Sequence, residues 1–92
     1  MFAWLNKQGV RSSEGFEFQF TGRFTAQYRE GDRVIDLDIG GGSIVTILNE
    51  EPLHWRKCSG LSPQARDRIL KNIRAALEFM GMRLWENAPP FN

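Results

Sequence analysis

Polar and apolar positions alternate most cleanly at residues 16–20, FEFQF, where Glu17 and Gln19 separate Phe16, Phe18 and Phe20. A period of two is that of a strand with one buried face. Residues 23–39, RFTAQYREGDRVIDLDI, predict a hairpin turning at Gly31-Asp32, with glycine supplying the positive φ of a type II′ loop. This turn sets Tyr28 opposite Ile35, Ala26 opposite Leu37 and Phe24 opposite Ile39 on one face. Gln27 then faces Asp36, and Thr25 faces Asp38, on the other. A slip of one residue would set every apolar side chain against a polar one, so turn and pattern specify the same register. Glu30 and Arg33 flank the turn as an opposite-charge pair. Parity between Phe20 and Phe24 predicts an odd loop, Thr21-Gly22-Arg23.

A fourth strand, SIVTIL from Ser43 to Leu48, follows Gly40-Gly41-Gly42. Val45 and Ile47 fit one of its faces and Ile44 and Leu48 the other, which predicts cover on both, with Phe2, Trp4 and Leu5 as the second cover. The triple glycine is a permissive turn rather than a phosphate loop, since no Lys-Ser/Thr follows it and the next element is a strand.

The pattern changes to a helical period after Ser62, an N-cap, and Pro63, whose missing N–H costs nothing at the first helical position. The helix is expected to run to Met80, with Gly81 as its stop, about 18 residues or roughly 27 Å. Ala65, Ile69, Ile73, Ala76, Leu77 and Met80 share one side, with Leu70 and Phe79 at its edges. Asp67, Lys71, Arg74 and Glu78 face away. Asn72, at the boundary, needs a hydrogen-bond partner if buried. Residues 82–87, MRLWEN, suit a short final strand. The architecture that follows is α+β: an antiparallel meander of four strands, or five with the last segment. One C-terminal helix covers the Phe/Tyr/Ile face, because helix and sheet each have a single apolar side.

Length and composition bound the rest. Ninety-two residues, 41% hydrophobic and 12% aromatic, suit a single domain over residues 1–92 with one core. One cysteine forms no internal disulfide, and no apolar run reaches membrane-spanning length. The N-terminal MFAWLNKQGV lacks the charged start and long apolar stretch of a signal peptide, so a cytoplasmic location is expected. Net charge is +1, which by itself calls for no polyanion. Yet Arg56, Lys57, Arg66, Arg68, Lys71 and Arg74 face only Asp67 across residues 52–74.

Three features carry candidate chemistry. The segment PLHWRKCSG holds the chain's only histidine, His54, and only cysteine, Cys58. A histidine can activate a thiol, but no third, orienting group is apparent, and zinc needs about four ligands. The plainer readings are that Trp55 plugs the gap beside the helix N-terminus, and that Trp55, Arg56 and Lys57 contact a partner, as tryptophan and arginine do at interface hot spots. Asp36 and Asp38 project from one face of their strand, about 7 Å apart. Paired carboxylates serve acid–base chemistry in glycosidases, but a solvated sheet face accounts for them more simply. With Glu17, they predict an acidic outer sheet surface fit for a basic protein partner. The phenylalanine stripe has the character of a base-stacking platform, but the helix needs the same face.

The stretch LSPQARDRILKNIRAALEFMGMRLW, residues 61–85, resembles the C-terminal helix of small bacterial immunity proteins encoded beside polymorphic or contact-dependent growth-inhibition toxins. Arg66, Ile69, Ile73, Ala76, Leu77, Phe79 and Gly81 carry the likeness. The resemblance implies an antitoxin-like inhibitor that binds one cognate toxin domain, a nuclease among the candidates, and occludes its active site. It implies no enzyme activity and no cofactor or metal. Partner-binding residues are expected at Asp36, Asp38, His54, Trp55, Arg56 and Lys57. The alternative function is single-stranded nucleic-acid binding, drawn from the basic stretch and disfavoured by the self-paired helix charges and the acidic face.

Overall fold

The structure, a computed structural model, describes residues 1–40, 44–48, 53–56 and 61–85. Among these, seven strands and one helix follow one another: β1 (Phe2–Asn6), β2 (Gly9–Ser12), β3 (Phe16–Gly22), β4 (Thr25–Glu30), β5 (Arg33–Gly40), β6 (Ile44–Ile47), α1 (Pro63–Phe79) and β7 (Arg83–Trp85). They form one curled sheet in sequential order, antiparallel throughout except that β7 returns parallel to β6 after the helix.

The β4–β5 hairpin has the expected register: Tyr28 opposite Ile35, Ala26 opposite Leu37, Gln27 opposite Asp36 and Thr25 opposite Asp38. Gly31 takes φ 60° at the turn. The β3–β4 turn differs from expectation. Phe20 pairs with Ala26 and Gly22 with Thr25, so Thr21 is an extra residue that shifts the ladder. That bulge cancels the parity argument: Phe24 falls in the turn and is 63% exposed, while Phe20 stays against the core.

The sequence pattern missed β1 and β2. β1 runs apolar without a break from Phe2 to Leu5, and β2 holds a single apolar side chain, Val10, so no alternation marks them. The turn is closed instead by the Asn6 side chain, whose Oδ1 accepts from the Gln8 N–H at 2.7 Å. Gly9 follows because β3 lies so close: a Cβ there would sit 2.4 Å from that of Gln19. The N-terminal segment therefore extends the sheet rather than covering the outer side of β6, where Ile44 and Leu48 remain 46% and 54% exposed.

The helix lies on the phenylalanine side. Phe16, Phe18, Tyr28, Ile35 and Leu37 are buried in one cluster with Ile69, Ile73, Ala76 and Leu77 of α1. Ser62 caps the helix through its Oγ, which accepts from the Ala65 N–H at 3.2 Å. Its other end is a Schellman motif. Gly81, at φ 85°, donates to the Glu78 carbonyl at 3.1 Å, and Met82 donates to that of Leu77 at 2.8 Å. Ser62→Ala is expected to lower stability by about 1 kcal/mol, measurable by urea denaturation, because one helix N–H loses its acceptor.

Candidate partner-binding site

Two elements build the site expected from the sequence. Asp36 and Asp38 stand exposed on the outer face of β5, on the parity opposite to Ile35, Leu37 and Ile39. Beside them, β6 pairs with β5 at Ile39 and Gly40, Leu48 donates to the Asp38 carbonyl at 2.6 Å, and nearer the start of β5 the segment 53–56 meets its edge at Val34. The Arg56 N–H donates to the Val34 carbonyl at 2.6 Å. Arg56 then turns its guanidinium onto the outer face, where Nε and an Nη donate to the two Asp36 carboxylate oxygens at 2.9 and 2.6 Å. This fork holds the Asp36 carboxyl below its ordinary range, with weaker help from the Gln27 side chain and the nearby His54.

His54 is exposed, its Nδ1 lying 3.0 Å from the Trp55 carbonyl oxygen. Trp55 faces inward. It is only 9% exposed, packs 6.3 Å from the Tyr28 ring and carries the Arg33 guanidinium 5.8 Å from its own ring. Next to Leu53, itself buried, Trp55 packs against the core and supports the segment. Lys57 and Cys58, like Gly41 and Gly42, lie outside the described residues.

The outer face is mixed rather than acidic. Arg11 on β2 bonds Glu17 on β3 at 3.1 Å, and Arg29 on β4 stands opposite Glu17 on its other side. Strand alternation predicted where Glu17 points; it could not show that β2, unrecognised, would bring an arginine beside it.

A second polar cluster was only partly visible in the sequence. The Tyr28 hydroxyl donates to Glu30, whose carboxylate also takes a fork from Arg68 of α1 at 2.5 and 3.2 Å. The Asn72 amide donates to the Tyr28 hydroxyl at 2.9 Å, which supplies the partner this residue needed. Burial, then the hydrogen bond to Glu30, pushes the Tyr28 hydroxyl far above its usual range. Burial acts to raise the Glu30 carboxyl, but the bonds from Arg68 and Tyr28 outweigh it and hold the group below its ordinary value. Glu30 thus ties sheet to helix, while Arg33 stands opposite it across the turn and adds a weaker attraction. A cleft of about 230 Å³ beside it is lined by Glu14, Phe16, Glu30, Arg68 and Asn72.

Among the described residues, no group of three or more His, Cys, Asp or Glu is placed to hold a metal ion. No helix among them is long and apolar enough to cross a membrane. Comparison with protein-family models, with curated proteins and with solved structures found no match.

Proposed function

We propose that this chain is an inhibitor of the immunity type, which binds a cognate bacterial toxin domain and blocks its active site. The observation that carries the reading is the Asp36–Arg56 fork, which joins residues 20 apart in sequence on the solvent side of the sheet. It sets Arg56, with its neighbour His54, beside Asp36, which shares the outer face of β5 with Asp38, and all four residues are exposed. An exposed pair of this kind contributes little to stability, so its use is better sought in recognition. The likeness of residues 61–85 to immunity-protein helices points the same way.

Co-expression with the product of the neighbouring reading frame tests the proposal. A complex that co-purifies, with relief of toxicity, supports it; persistent toxicity with no complex removes it. The exchange Asp36→Arg with Arg56→Asp keeps an ion pair but inverts the patch. It is expected to leave thermal unfolding nearly unchanged and to weaken the complex about tenfold or more, in a binding titration.

The alternative, single-stranded nucleic-acid binding, draws on the basic residues between Arg56 and Arg74. Arg56 and Arg68 are each held by a carboxylate, and Phe16 and Phe18 lie under the helix, which favours the protein partner. Affinity for an oligonucleotide that falls steeply with added salt is the result that would favour the alternative.

A further inference from the structure

The first strand leaves one edge of the sheet open. Ser13 donates from its N–H to the Met1 carbonyl at 2.9 Å, and Phe2 stands opposite Ser12 and Trp4 opposite Val10. This fixes the phase of the β1–β2 ladder. Ala3, in phase with Met1, bonds to β2, and the N–H and C=O of Phe2 and Trp4 turn outward. No described residue bonds to them. An open row of this kind invites another strand, and proteins usually guard it with lysine, proline or an inward charge. The segment Phe2-Ala3-Trp4-Leu5 carries none of these. The ladder irregularity between Trp4 and Asn6 lies beyond the two outward pairs, so it does not blunt them.

The side chains point the same way. Trp4 is 54% exposed, although it lies on the face that α1 covers. Its ring is 5.7 Å from Phe79, which is itself 44% exposed and 5.5 Å from Phe2. An apolar recess of about 470 Å³ opens beside Trp4, Asn6 and Lys7.

We propose that β1 pairs with β1 of a second copy, antiparallel and about a two-fold axis at Ala3. This register is self-complementary. Phe2 of each copy lies opposite Trp4 of the other, so both outward backbone pairs meet as hydrogen-bonded pairs and donate four hydrogen bonds in all. Both aromatic cross-strand pairs fall on the helix side, where the exposed Trp4 and Phe79 rings gain cover. The two Ala3 residues meet at the close, non-hydrogen-bonded position, where a small side chain fits. No charged residue opposes another between Phe2 and Leu5. The proposal is independent of the toxin-binding reading, since it uses the opposite edge of the sheet from residues 53–56.

Sedimentation velocity over a concentration series tests it, and a reversible monomer–dimer equilibrium is expected. Trp4→Lys places a guard on the edge and is expected to raise the dimer dissociation constant about tenfold or more, since both aromatic pairs are lost at once. Trp4→Pro removes only an outward N–H, which a strand edge tolerates, and should act in the same direction. Ala3→Cys, made in a Cys58→Ser chain, should close an intermolecular disulfide on mild oxidation, because facing Cα atoms at such a position lie about 4.5 Å apart. A chain that stays monomeric at its highest soluble concentration overturns the proposal. So does a dimer that both Trp4 variants leave intact, or an Ala3→Cys chain that fails to cross-link.

Discussion

Phe18→Ala is expected to destabilise the protein by about 3–5 kcal/mol, as a fall in the denaturant midpoint. Phe18 is 1% exposed, stands between Val10 of β2 and Tyr28 of β4, and meets Phe20 edge-on at 5.4 Å. Removing the ring forfeits its transfer free energy and leaves a cavity that strands bonded on both sides and a helix above cannot close. Domains of this kind hold only about 5–15 kcal/mol in total, so much of the margin would be lost. Phe24→Ala is the control. Its ring is 63% exposed at the bulged turn, and a change within about 0.5 kcal/mol is expected. Equal losses at the two positions would contradict the register described for β3 and β4.

Glu30→Ala is expected to cost about 1–3 kcal/mol, because the Tyr28 hydroxyl, on a residue with no exposed surface, loses its acceptor. The partners need not lose equally, since Arg68 is half exposed and can turn to water. Tyr28→Phe removes the stranded donor, so Glu30→Ala should cost less in that background, and a double-mutant cycle reads the difference. The same carboxylate gives a pH dependence. Its folded-state pKa lies below its ordinary 4.5. The stabilisation is therefore complete above that value and is lost as the pH falls through the depressed folded-state pKa. Urea titrations across the acid range should show this loss in the parent chain and a flatter profile in Glu30→Gln.

Elements whose chemistry is local were legible in the sequence. Gly31-Asp32 and alternating side chains specified the β4–β5 register. Ser62, Pro63 and Gly81 marked both ends of the helix, and its apolar side predicted Ile69, Ile73, Ala76 and Leu77 in the core. The misses have physical causes. A bulge at Thr21 changes strand parity without a residue type that announces it, and so moved Phe24 from core to turn. The β1–β2 hairpin turns on an asparagine side chain bonded to its own backbone, and its partners for alternation lie on β3. At the candidate site, the strand pattern placed Asp36 and Asp38 outward correctly. It could not tell that Arg56, beside a Trp55 that packs inward, crosses to the outer face, because that depends on where residues 53–56 meet the edge of β5. Glu30 stands opposite Arg33 at the turn as the sequence predicts, but its hydrogen-bonded cation is not legible there: Arg68 lies 38 residues away, and only the docking of α1 brings it near.

The crossover from β6 through α1 to β7 has a consequence for biosynthesis. While a ribosome has released only the first 60 or so residues, the aromatic side of the meander has nothing above it, since the bonds that seat the lid join Tyr28 to a residue 44 positions later. Closure must wait until α1 has emerged, and until then the nascent chain carries a sticky, unpaired surface.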